Sequence, residues 1–271
     1  MSTEQPREPE RVALLSGVLL AILDVSRPLT RARTSDQAEA VVLGTVMRAR
    51  ELATGVVSEL KAGRGRNAMP LARHLFEEYL VACYILDDPA PRLDQYRASE
   101  AESRLDWART GDLLDHMPPE QLEMLEGIGA AGTAKQQAAT EGSKHAVQPS
   151  DRGTLPGTFR SIAYAVGAQA DYRFFYAGVS RYSHPTLSNA SAYLSIDDAG
   201  RFSARSDAPD PPLLGPAGVF AVEYLVRLIR RVSPTLGNDP AVDSALEELV
   251  AEYNARMTVR PIPGLPPREP L

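Results

Sequence analysis

The sequence predicts an all-α bundle of about seven or eight helices, with one small β-hairpin near residues 192–205. Three observations carry this. Ala, Leu, Arg and Glu are plentiful while aromatic residues make up only 6%, a balance that favours helix. Apolar residues recur at helical rather than alternating spacing through most of the chain. Proline-containing breaks, among them Arg27-Pro28, Asp88-Pro89, Met117-Pro118-Pro119 and Asp239-Pro240, divide it into helix-sized pieces.

Residues 1–9 read as a polar tail. The first helix runs from about Pro9 to Val25 and stops before Pro28. Thr34 with Gln37 reads as a capping box opening a long helix to about Leu60, with Val42, Val46, Leu52, Val56, Val57 and Leu60 on the apolar spacing. Lys61 to Asn67 reads as a loop, with Asn67 as N-cap and Pro70 in the first turn of a third helix to about Leu86. That helix is apolar nearly all round after Phe76, so it belongs at the centre of a bundle. The next, to about His116, carries many charges at i,i+3 and i,i+4 spacing and reads as a solvated outer helix. A short helix to about Leu125 follows, and the Gly- and Ala-rich stretch 127–155 reads as the least regular part. Helices near Thr158–Val166 and Ala170–His184 come next. Tyr193–Ile196 and Arg201–Ala204 flank turn residues and read as the hairpin. Helices from about Ala217 to Val232 and from Asp239-Pro240 to Met257 end the chain, before a Pro-rich tail. The chain reads as one helical domain over 1–271. Its core is about 10–195, the hairpin and Pro-rich link 192–216, the C-terminal helices 217–257 and the loose tail 258–271. Residues 1–33 and 208–271 are expected to flank the bundle.

Charge and cysteine content narrow the function classes. The 271 residues carry a net charge of -6, which argues against a whole-surface nucleic-acid binder. The single cysteine, Cys83, excludes an intramolecular disulfide and a Cys-rich zinc site, and fits the cytoplasm. The apolar run Val12–Leu23, about 12 residues, falls short of the ~20 needed to span a bilayer, so no membrane association is expected. The four His are scattered with no paired-His spacing, so no metal is expected; no cofactor is expected either.

Three constellations carry chemistry. Arg73 and Glu77, four apart on the third helix, share one face. They make either an internal ion pair that fixes helix register or an anion holder, in which Glu77 orients Arg73 toward a phosphate or carboxylate. Tyr172, Tyr176, Ser180 and His184 follow one another in steps of four along another helix. His184 precedes Pro185, where that helix should end, and a helix C-terminus favours protonated His. The stripe is either a polar seam between helices or a site in which His184 is a general acid or base, with Ser180 and Tyr176 assisting. A hydrolase pair of Ser180 and His184 is rejected, because the strained G-x-S-x-G turn is missing. The loop around Arg64 and Arg66 lies before a helix N-terminus, where free N–H groups suit an anion; it lacks the Lys-Ser/Thr of a P-loop, and an ordinary basic surface turn is the alternative.

The stretch Ala-x-x-Leu-Ala-Arg-His-Leu-Phe-Glu-Glu-Tyr around Arg73 and Glu77, and Tyr-Arg-Phe-Phe-Tyr-Ala-Gly-Val-Ser-Arg-Tyr-Ser-His-Pro around Tyr176, Ser180 and His184, resemble a family of bacterial helical proteins of unknown function. More distantly they resemble the HEPN-type bundles of defence and toxin–antitoxin systems. The resemblance covers about residues 35–195. It implies that the two motif helices face each other and that their polar residues converge. Active HEPN ribonucleases are known for an Arg, a polar residue and then a His, at an Arg–His spacing that lies between the two found here. Here two residues separate Arg181 from His184 and ten separate Arg173 from it, a departure from that spacing.

Two readings follow. In the first, Arg73, Glu77, Tyr176, Ser180, Arg181 and His184 form a polar network of a binding or interaction module, with a small anionic ligand as partner. In the second, the chain is an HEPN-like, metal-independent ribonuclease acting on RNA, with His184 as general acid or base and Arg73 or Arg181 stabilising the phosphate. A homodimer would suit the second. The net charge and the altered Arg–His spacing favour the first.

Overall fold

A computed structural model of the chain describes residues 8–111, 114, 117–142, 159–173, 194–196, 198–199, 201–204, 213–237 and 239–256. In chain order the helices are α1 (Glu8–Val25), α2 (Gln37–Lys61), α3 (Gly65–Asp87), α4 (Pro89–Thr110), α5 (Pro119–Gly142), α6 (Phe159–Ala165), α7 (Gln169–Asp171), α8 (Leu214–Val232) and α9 (Pro240–Arg256). A 3-10 turn, Arg27–Arg31, follows α1. Two three-residue segments, β1 (Leu194–Ile196) and β2 (Phe202–Ala204), pair antiparallel with Ser195 opposite Ser203. The described part is mostly helical, as the spacing of apolar residues requires.

Several boundaries differ from the sequence expectation, each for a local reason. Asp36, not Thr34, caps α2: its Oδ1 accepts from the N–H of Ala38 (2.8 Å) and of Glu39 (3.0 Å). Thr34 supports the same turn by accepting from the Asp36 N–H and donating to Glu39 Oε2. Helix α3 opens at Gly65, so Asn67 lies within it rather than capping it. The turn between α2 and α3 is a Schellman motif, the Gly63 N–H reaching Leu60 O and the Arg64 N–H reaching Glu59 O. Gly63 takes φ 71 there, a conformation that glycine adopts without Cβ strain. Helix α4 ends at Thr110 on a Gly111 cap, short of His116. Helix α5 runs on to Gly142, through the Gly- and Ala-rich stretch expected to be irregular. Packing on α4 is the reason: Leu125 and Ile128 lie against Ala101 and Leu105, which holds helix where the propensity of glycine alone disfavours it.

The chain forms two compact units, residues 83–169 making one and the remainder the other. In the larger unit, α2 and α3 form an antiparallel hairpin, with Leu71 packed on Gly55 and Arg48 paired to Glu78 at 2.7 Å. Helices α1, α2 and α8 converge at Gly218, where an added Cβ would stand 2.8 Å from Leu15 Cδ1 and 3.2 Å from Leu60 Cδ1. Helices α3 and α8 run parallel. Gly65 meets the start of α8 at Leu214, and further along both helices the Phe76 and Tyr224 rings lie 4.7 Å apart. Helix α8 is a core helix, not a flanking one: Val222, Leu225, Val226, Leu228 and Ile229 are all buried. It folds back onto α9 through Ser233 Oγ, which donates to Asp243 Oδ1, and through two Arg230–Glu247 hydrogen bonds of 2.8 Å.

One stretch, Glu8–Arg31, is long and apolar enough to cross a membrane by length and composition, longer than the run the sequence reading marked. Its Leu15, Leu19 and Ile22 are buried in this unit. Arg50 of α2 closes the end of α1 by donating to Leu23 O at 2.5 Å and to Ser26 Oγ. Burial, helped by the nearby Arg27 charge and opposed by Asp24, lowers the Arg50 pKa.

In the smaller unit, α4 and α5 pack around Ala101, Leu105 and Leu125, with Met117, Leu122 and Ile128 at the edge. Tyr84 donates to Gln95 Oε1 at 2.6 Å, and Arg92 lies over the Tyr84 ring while bonding Asp87. Helix α6 ends in a second Schellman turn at Gly167, φ 75.

Candidate functional site

The polar centre of the larger unit begins on α3. Arg73 and Glu77 are one turn apart, and Arg73 Nε donates to Glu77 Oε1 at 3.0 Å. Their side chains are 13% and 7% exposed, so both are held largely away from water. The second carboxylate oxygen, Oε2, lies 2.6 Å from His74 Nδ1. Glu77 therefore serves two neighbours at once, one at each oxygen, which makes a buried carboxylate tolerable.

A second cluster stands on α8. Glu223 and Arg227 repeat the i,i+4 spacing in the opposite order, with Arg227 Nη2 2.7 Å from Glu223 Oε1. The other terminal nitrogen, Nη1, donates to Asp171 Oδ2 of α7 at 2.7 Å. Burial works against the Arg227 charge, but Glu223 and then Asp171 outweigh it, so its pKa is raised. Aromatic rings line this cluster. Arg227 stands 5.6 Å from the Tyr224 ring centre, and Tyr224 packs on Phe76 and Tyr79 of α3. The same α3 that carries Arg73 and Glu77 thus supplies the rings against which α8 sets its own ion pair.

Of the residues singled out from sequence, Arg73 and Glu77 meet as a pair. Arg64 does not join them: its side chain is exposed and makes two bonds to Glu59, 2.6 Å and 2.8 Å. The Arg64 hydrogen bond is the main reason the Glu59 pKa is lowered. Glu59 thus places a carboxylate of the chain itself beside the turn that the sequence left open between an anion site and an ordinary basic surface turn. Arg66 lies in the first turn of α3 and is engaged there in an interaction of its own. Tyr176, Ser180, Arg181 and His184 lie outside the described residues. Tyr172 is half-buried and, with Arg173, continues α7 as a π-helical turn. Among the described residues no group of three or more His, Cys, Asp or Glu could hold a metal ion.

Sequence reasoning missed Glu223, Arg227, Asp171 and His74. A signal for the α8 pair existed: one Glu and one Arg, four apart, interrupt the run Val-Phe-Ala-Val-Glu-Tyr-Leu-Val-Arg-Leu-Ile. No comparable local signal marks Asp171.

Fold and site together define a helical-bundle protein with ion pairs set into its core. Residues 39–202 match a family of unknown function (DUF5677), and the chain belongs to that family. No curated protein and no solved structure matches it. The matched segment contains Arg73, Glu77 and Asp171, whereas α8, with Glu223 and Arg227, lies beyond it.

Proposed function

We propose that this protein is a binding or interaction module whose central polar network holds a small anionic ligand. The supporting observation is the Arg73–Glu77 pair, largely buried on a helix whose neighbouring face is aromatic. A buried ion pair is a weak stabiliser compared with apolar residues of the same volume. Keeping one therefore calls for a role beyond packing, and holding an anion on a guanidinium is the role that Arg chemistry suits best. Tyr176, Ser180, Arg181 and His184 complete the network on this reading. The buried Cys83, the single cysteine of the chain, and the buried apolar face of α1 support a cytoplasmic setting. The resemblance to HEPN-type bundles directs the same reading toward bacterial defence or stress, with a second copy of the chain as a further partner.

The competing reading is an HEPN-like ribonuclease with His184 as general acid or base and Arg73 on the phosphate. One experiment separates them: thermal melting with inorganic phosphate titrated in, and RNA cleavage, for wild type and His184→Ala. The binding reading expects phosphate to raise the melting temperature, since a ligand at a hundred times its Kd adds about 2.7 kcal/mol, and expects no cleavage. Cleavage by wild type that His184→Ala abolishes with unchanged melting establishes the ribonuclease. Neither a phosphate shift nor cleavage removes both.

A further inference from the structure

We propose that Arg227 is a positioning residue, through which α8 holds the start of the segment that carries Tyr172, Tyr176, Ser180 and His184. The inference rests on the binding reading above only for what that segment does once it is held. The geometry is specific to arginine. Nη2 takes Glu223 Oε1 at 2.7 Å, and Nη1 takes Asp171 Oδ2 at 2.7 Å. Two nitrogens fixed in one plane thus serve two carboxylates, which a lysine ammonium on a flexible stem does not reproduce. Glu223 is buried, with a side chain only 7% exposed, and sits on the same helix one turn earlier. It fixes where the guanidinium points, and the Tyr224 ring, wedged by Phe76 and Tyr79, backs the guanidinium from the side.

Asp171 is the member that moves if the clamp opens. Helix α7 has three residues and none is buried, so apolar packing does little to hold it. The backbone changes to a π turn directly after Asp171, at Tyr172 and Arg173. Asp171 belongs to the segment that matches the family, while Arg227 does not. The clamp therefore ties the segment that matches the family to a helix outside the matched residues.

The test uses the full chain with Asp171→Ala, Arg227→Lys and Arg227→Met. It reads tryptic nicking after Arg173, normalised to nicking after Arg160 in α6, beside melting temperature and inorganic phosphate affinity. Asp171→Ala and Arg227→Lys are expected to speed the Arg173 cut about tenfold, the scale of losing one charge-assisted bond to a local opening, with melting nearly unchanged. Phosphate affinity falls in both. Arg227→Met adds a drop in melting temperature, because Glu223 loses its partner. An unchanged Arg173 cut in Asp171→Ala overturns the proposal, whether or not melting shifts, and an unchanged phosphate affinity beside a faster cut reduces the pair to a structural one. If wild type takes no phosphate, the ligand reading fails while the Arg173 cut still decides the clamp.

Discussion

Replacing Glu77 with Ala strands Arg73 in a place where its side chain is only 13% exposed. At the observed 3.0 Å the gross attraction of the pair, at an effective dielectric constant of about 20, is roughly 5–6 kcal/mol. Desolvation of both ions offsets much of that, so the pair contributes little net. The variant loses the attraction and keeps the desolvation of the remaining cation, a situation that costs about 3–5 kcal/mol. The small residual exposure of Arg73 places the expectation at the lower end of that range. His74 adds to the loss, because its Nδ1 also contacts the Glu77 carboxylate, at 2.6 Å. At about 2 cal/mol/K of unfolding entropy per residue, a 271-residue chain melting as one unit loses roughly 5–9 °C. The assay is calorimetric melting of wild type, Glu77→Ala, Arg73→Met and the double variant Arg73→Met/Glu77→Leu. The double variant should recover most of the loss, since no charge is left unpaired. Unchanged melting in both single variants refutes the buried-pair argument. A double variant as unstable as the sum of the singles refutes the stranded-charge account of its size.

Two further outcomes follow from packing and titration. Gly218→Ala places a Cβ 2.8 Å from Leu15 Cδ1 and 3.0 Å from Leu15 Cβ; forcing α1 and α8 apart should cost about 1–3 kcal/mol in urea unfolding, and a variant as stable as wild type refutes the close approach. Burial, partly opposed by Arg92, raises the Tyr84 phenol above its ordinary value of 10.0. Its folded-state pKa lies above the unfolded one, so the associated stability is present below pH 10 and is lost as pH rises through the folded value. Tyr84→Phe should therefore lose about 1 kcal/mol at neutral pH with the Gln95 hydrogen bond, yet fall less steeply than wild type in urea unfolding above pH 10. Parallel curves across that window count against the burial of Tyr84.

Local chemistry made the end of α2, the end of α3 and the start of α4 legible. Lys61 follows the last apolar position of α2, and Asp88-Pro89 stops one helix and starts the next, because a proline restricts the residue before it wherever it occurs. The i,i+4 spacing of Arg73 and Glu77 made their pairing legible too, since one helical turn brings them together whatever surrounds the helix. The length of α5 was not legible. Its glycines argue against helix by propensity, and packing on α4 is what offsets them. The place of α8 in the core was equally hidden, because an apolar face does not say which partner covers it; Leu15, Leu60 and Phe76 do, from three other helices. Arg227 and Asp171 stand 56 positions apart. The sequence by itself determined where most helices form and which charges share a face. Only the tertiary structure decided which faces meet, because burial and long-range pairing depend on neighbours that the local sequence does not encode.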